Sequence, residues 1–171
     1  MEYTGKINIA IACFVSLFLS GCWFSADKAR KNNPNTDPFY VEASGFDYSR
    51  FPLINPYAIM TINRGKEWNL GIKDDIGFSY NVTNVKKLYV KKGFILVYAS
   101  DSTTINNKKV YEAWFVINPN NKEEKGFVTE QEFLNYLKKE NIEKPEWREV
   151  NAVFKQFVDT YCLEWIPGCN K

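Results

Sequence analysis

Histidine is missing from all 171 residues. That removes the usual general base near neutral pH, the commonest metal ligand and every Ser-His or Cys-His nucleophile pair. Charge of one sign is not in excess either, with 22 Lys plus Arg against 20 Asp plus Glu. A nucleic-acid binder would need a concentrated basic face, so none is expected as a partner. No calcium loop and no Gly-rich phosphate loop after a strand occurs, and there is no internal repeat or low-complexity segment. No metal and no cofactor is expected. What stays open to an enzyme is a set of carboxylates or a Ser-Lys pair, and the reading is that the chain is not an enzyme.

What is present begins with Leu19-Ser20-Gly21-Cys22. Ahead of it stands a lone basic residue, Lys6, and an apolar run from Ile7 to Leu19 interrupted only by Asn8 and Ser16. The layout is charged, then apolar, then small, and the run is too short to span a bilayer comfortably. It resembles the type II signal peptide of bacterial lipoproteins. The resemblance implies that residues 1–21 are removed and that the Cys22 sulfur carries the lipid, palmitate among its acyl chains. It places the protein in the bacterial cell envelope, held to a membrane and facing the exported side. Cys13 leaves with the signal.

Removal of residues 1–21 leaves 150, enough for one domain with a real core. Residues 22–38, with Lys28, Arg30, Lys31 and the stretch Asn32-Asn33-Pro34-Asn35, read as a lipidated cysteine and flexible tether; residues 39–171 read as a single domain. Aromatic residues make up 16% of the chain, which favours strands and recognition surfaces.

The stretch Phe39 to Pro56 mixes aromatics with Gly45, Pro52 and Pro56 and reads as irregular. Strand patterns follow at Tyr57–Ile62, Trp68–Ile72, Val82–Val90, Phe94–Tyr98 and Val110–Ile117. The continuous apolar run Phe94-Ile95-Leu96-Val97-Tyr98 predicts a strand covered on both faces. Lys91-Lys92-Gly93 and Asn106-Asn107 supply hairpin turns, and short turns between successive strands imply an antiparallel meander. Thr129 with Glu132 three residues later forms a capping box, with Val128 and Phe133 placed as a staple, ahead of the stripe Phe133, Leu134 and Leu137. A second helix is predicted from Pro145 to about Tyr161. The fold class is therefore α+β: a mostly antiparallel meander followed by two C-terminal helices covering one face of the sheet.

In an exported, oxidising compartment, Cys162 and Cys169 are the pair left to form a disulfide, with Pro167-Gly168 as the turn between them. The loop either stops the C-terminus from fraying, with Trp165 and Ile166 packed down, or presents Trp165 and Ile166 to a partner as an apolar anchor. Among acids, Glu112 stands inside an apolar strand and would titrate high if buried; Asp74-Asp75, Asp101 and Glu123-Glu124 complete the candidates.

Trp114-Phe115-Val116-Ile117-Asn118-Pro119 followed by Gly126-Phe127-Val128-Thr129-Glu130-Gln131-Glu132-Phe133 resembles a strand, turn and threonine-capped helix found in small bacterial lipoproteins without an assigned activity. Asn118 stands where those have Asp. The function this supports is a protein-binding module in the envelope, with an immunity-type inhibitor of a secreted toxin as one form. A structural or assembly lipoprotein is the alternative, and a carboxylate-based envelope enzyme the third.

Overall fold

The computed structural model describes residues 37–42, 45, 47–73 and 78–169. Cys22, the whole Leu19-Ser20-Gly21-Cys22 motif and Asp74-Asp75 lie outside the described residues. A single turn of helix, α1 (Pro38–Val41), is capped by Asp37, whose carboxylate accepts from the Phe39 N–H at 2.9 Å. Strands β1 (Ser49–Pro52), β2 (Tyr57–Thr61), β3 (Asn69–Lys73) and β4 (Phe78–Val82) form a four-stranded antiparallel sheet in chain order. Strands β5 (Val85–Lys91), β6 (Phe94–Ile105), β7 (Lys108–Asn118), β8 (Glu123–Phe127) and β9 (Arg148–Glu149) form a second antiparallel sheet in the order β8-β7-β6-β5-β9. Helices α2 (Glu130–Lys139) and α3 (Val150–Thr160) follow β8 and β9 respectively. This is the α+β meander that the alternating runs and short turns predict.

Turn chemistry fixes the register. Lys92 and Gly93 have φ of 51° and 84°, and Asn106 and Asn107 of 48° and 63°. Two successive residues of positive φ suit the twist of a hairpin, which glycine and asparagine tolerate best. The run predicted as one strand over Val82–Val90 is two strands, broken at Asn84, whose φ is 56°. That break is where the chain leaves the first sheet and enters the second. A bulge at Asp101 and Ser102 bends β6, and the Asn84 side-chain amide donates to both of their carbonyls, at 2.8 and 3.2 Å. Past the bulge, Ile105 approaches β8 so closely that a Cβ on Gly126 would stand 3.1 Å from its Cδ1 and 3.0 Å from Cε1 of Phe115.

The second sheet is covered on both faces, as its apolar β6 run requires. Inward, Leu88, Ile95, Val97, Ala113, Phe115 and Ile117 share a core with Phe51, Tyr57, Ile59 and Leu70 of the first sheet and with Val150, Val153 and Phe157 of α3. Outward, Tyr89, Leu96, Val116 and Phe127 pack with Phe133 and Leu137 of α2. The two helices therefore serve opposite faces of this sheet, not one face. The physical reason lies in residues 142–149. Trp147 stacks on Phe133 across the outer face, with ring centroids 6.0 Å apart, and Arg148 and Glu149 then pair with Leu88 and Lys87 at the sheet edge. Those contacts hold Pro145 to Glu149 out of a helix, so the helix predicted from Pro145 opens only at Val150.

At α2, the Thr129 hydroxyl accepts from the Glu132 N–H at 3.3 Å and lies 3.0 Å from the Glu132 carboxylate, which satisfies the cap. The staple differs from expectation: Val128 is exposed, and Phe127 meets Phe133 instead, with centroids 5.9 Å apart. Among the described residues no helix is long and apolar enough to cross a membrane.

Candidate functional site

The C-terminal loop is built from the end of α3. Tyr161 ends that helix in the left-handed conformation, φ 54°, and the Thr160 hydroxyl accepts from the Cys162 N–H at 3.1 Å. Cys162 and Cys169 are joined by a disulfide, their Cα atoms 5.5 Å apart. Inside the loop, the Ile166 N–H donates to Leu163 and the Cys169 N–H donates to Ile166, which turns Leu163 and Ile166 inward. Ile166 is fully buried in the inner core and so cannot serve as an exposed anchor. Trp165 is half-buried, and its indole N–H donates to the Pro52 carbonyl at 3.1 Å. Arg148 lies 6.0 Å from the Trp165 ring and 3.0 Å from Glu164. The loop is a clamp between α3 and β1: of the two readings open from the sequence, the packed one matches this geometry.

The acidic candidates do not converge. Glu112 is exposed. Asp101 pairs with Lys86 at 2.7 Å, and that ammonium holds its carboxyl below the usual carboxylate range. Glu124 accepts from the Asn81 amide at 2.6 Å, and Glu123 from Asn121 at 3.1 Å. Among the described residues no group of three or more carboxylates and thiols could hold a metal ion.

The outer face of the second sheet is different. One cross-strand row runs Glu149, Lys87, Tyr98, Trp114, Phe127 over β9, β5, β6, β7 and β8. Helix α2 packs on β7 and β8, at the Phe127 end. Toward the other end the row stays partly open: Tyr98 and Trp114 are half-buried, with centroids 5.3 Å apart. The Tyr98 hydroxyl donates to the Glu112 carboxylate at 2.7 Å. Lys87 stands 5.9 Å from the Tyr98 ring centroid and 3.6 Å from Glu149. Desolvation, followed by the bond to Glu112 and that carboxylate's charge, pushes the Tyr98 phenol up to about 12. Two aromatic rings with an ammonium on one side and a carboxylate on the other offer apolar area at small entropic cost together with a donor and an acceptor.

Sequence reasoning missed this row. Its signal lay in the alternation of Ile95, Val97 and Ala99 against Leu96 and Tyr98, but register was needed to set Tyr98 beside Trp114 and Lys87. No protein-family model, no curated protein and no solved structure matches this chain.

Proposed function

We propose that this chain is a lipid-anchored protein of the bacterial cell envelope, carried on Cys22, that binds a protein partner through the Lys87-Tyr98-Trp114 row. The anchor rests on Leu19-Ser20-Gly21-Cys22 at the end of a signal-length apolar run. Binding rests on one observation: a half-buried Tyr98–Trp114 pair flanked by Lys87 and Glu112, beside the part of the sheet that α2 covers. Aromatic residues with a polar rim are the usual composition of an interface centre. An immunity-type inhibitor of a secreted toxin is the form this reading favours, because two aromatic rings with an ammonium and a carboxylate beside them suit recognition of a protein surface. Trp165 moves from binding candidate to supporting residue.

Affinity capture from envelope extracts with the mature chain tests the reading, using wild type, Trp114→Ala and Trp165→Ala in parallel. A single stoichiometric partner retained by Trp165→Ala and lost by Trp114→Ala is expected. Loss with Trp165→Ala alone would return the site to the disulfide loop. The intact mass of the purified chain reports in the same experiment whether Cys22 is acylated.

A further inference from the structure

We infer that the corner formed by Trp114, Tyr98 and Glu112 receives the guanidinium of an arginine side chain on the protein partner. This names the chemistry of the contact proposed above and rests on that reading. Glu112 and Trp114 are two residues apart on β7 and so share the outer face, opposite Ser100 and Tyr98 of β6. Tyr98 joins them: its ring centroid stands 5.3 Å from that of Trp114, and its hydroxyl donates to Oε1 of Glu112 at 2.7 Å. The Glu112 side chain is exposed, and its Oε2 has no hydrogen bond among the described residues.

Charge is balanced around this corner but not in it. Glu149 pairs with Lys87 at 3.6 Å, Glu143 with Lys91 at 3.2 Å and Asp101 with Lys86 at 2.7 Å, whereas Glu112 forms no ion pair among the described residues. The rings show the same gap. Lysine ammoniums stand 5.8 Å from the Tyr89 centroid, 5.9 Å from that of Tyr98 and 4.4 Å from that of Tyr136, and among the described residues no cation stands over Trp114. Tryptophan attracts a cation to its face more strongly than the other aromatic residues, and a carboxylate strengthens any hydrogen bond donated by one. An unpaired carboxylate beside a half-buried indole is therefore complementary to one added positive charge. Arginine suits the corner better than lysine, because a planar guanidinium stacks on a ring while its edge donates to carboxylate oxygens, and a compact, strongly hydrated ammonium does not do both.

The mature chain labelled with 5-fluorotryptophan reports on the corner through the Trp114 fluorine resonance, assigned by its loss in Trp114→Phe. The probes are the N-acetyl amides of arginine, lysine and citrulline, the last an uncharged analogue of arginine. A saturable shift of the Trp114 resonance is expected, half complete at a several-fold lower concentration of the arginine probe than of the lysine probe and absent with citrulline. Glu112→Gln, at an exposed position, should raise the half-saturating arginine concentration several-fold and remove the preference over lysine, while the resonance of buried Trp68 stays fixed. No shift, an equal response to all three probes, or a response that Glu112→Gln leaves unchanged overturns the inference. Capture of the envelope partner at full yield by Glu112→Lys, with loss by Trp114→Ala, also overturns it and leaves the binding reading standing. Selective binding of the arginine probe without any captured partner overturns the binding reading instead.

Discussion

On the inner face of the second sheet Ile95, Val97, Ala99, Ala113 and Ile117 are each fully buried, whereas on the outer face the same strands carry Tyr98 and Trp114 only half-buried. The difference comes from what covers each face. A second sheet and the Val150–Thr160 helix close over the inner face, while the helix Glu130–Lys139, with Ile142 and Trp147 after it, covers part of the outer one. Burying a face on both sides demands apolar residues in each alternate position, so the inner positions have little freedom to vary. The outer positions past the helix are free to carry an ammonium, two rings and a carboxylate. The outer face thus combines a buried cluster around Leu96, Val116 and Phe133 with a half-buried row that we propose for recognition.

Substitutions on the two faces should therefore separate stability from binding. Phe157→Ala, in the inner core, should cost about 3 to 5 kcal/mol in urea unfolding. Cys162→Ser opens the clamp and should cost about 2 to 3 kcal/mol by the loop-entropy argument, read as a fall in the denaturation midpoint that a reducing agent reproduces in wild type. Tyr98→Ala removes an aromatic pair at a half-buried position, so a loss of about 1 kcal/mol is expected, with partner binding abolished. Were Tyr98→Ala to destabilise as much as Phe157→Ala, the outer row would be core, and the contrast between the faces would fail.

The smallest effect is a titration. The Tyr98 phenol is raised from 10.0 to about 12, so the folded state favours its neutral form. That contribution is complete below pH 10, and it is lost as pH rises through about 12. Tyr48, Tyr57 and Tyr136 are also raised, so phenolate absorbance followed against pH should lose one of several late-titrating tyrosines in Tyr98→Phe, and that one should titrate earlier in Glu112→Gln, which removes the carboxylate while leaving the desolvation.

Much of the architecture was legible because local rules decide it. The two-residue turns at Lys92-Gly93 and Asn106-Asn107, the Thr129 cap and the doubly apolar β6 run each specify structure without knowledge of the rest. What was not legible depends on distant partners. Glu123–Phe127 forms a strand because Val116 and Ile117 offer it an edge, though Glu123, Glu124 and Lys125 carry no apolar alternation. Pro145 suggests a helix start, yet Trp147 is held by Phe133 and Arg148 by the ladder to Leu88. For Ile166 the sequence leaves packing and presentation both open, and the loop's own turn decides for burial. The candidate site was hidden for the same reason: Lys87, Tyr98 and Trp114 come from three strands, and nothing short of the register joins them.

In-cell photo-crosslinking tests most directly whether the half-buried row on the outer face binds a partner. A benzophenone amino acid in place of Tyr98 samples the outer row, and one in place of Lys138 samples the exposed side of the helix beside it. The account predicts one discrete protein adduct from position 98 in the membrane fraction, abolished by Trp114→Ala, and none from position 138. Adducts of equal yield from both positions, or none from position 98 while position 138 reacts, would contradict it.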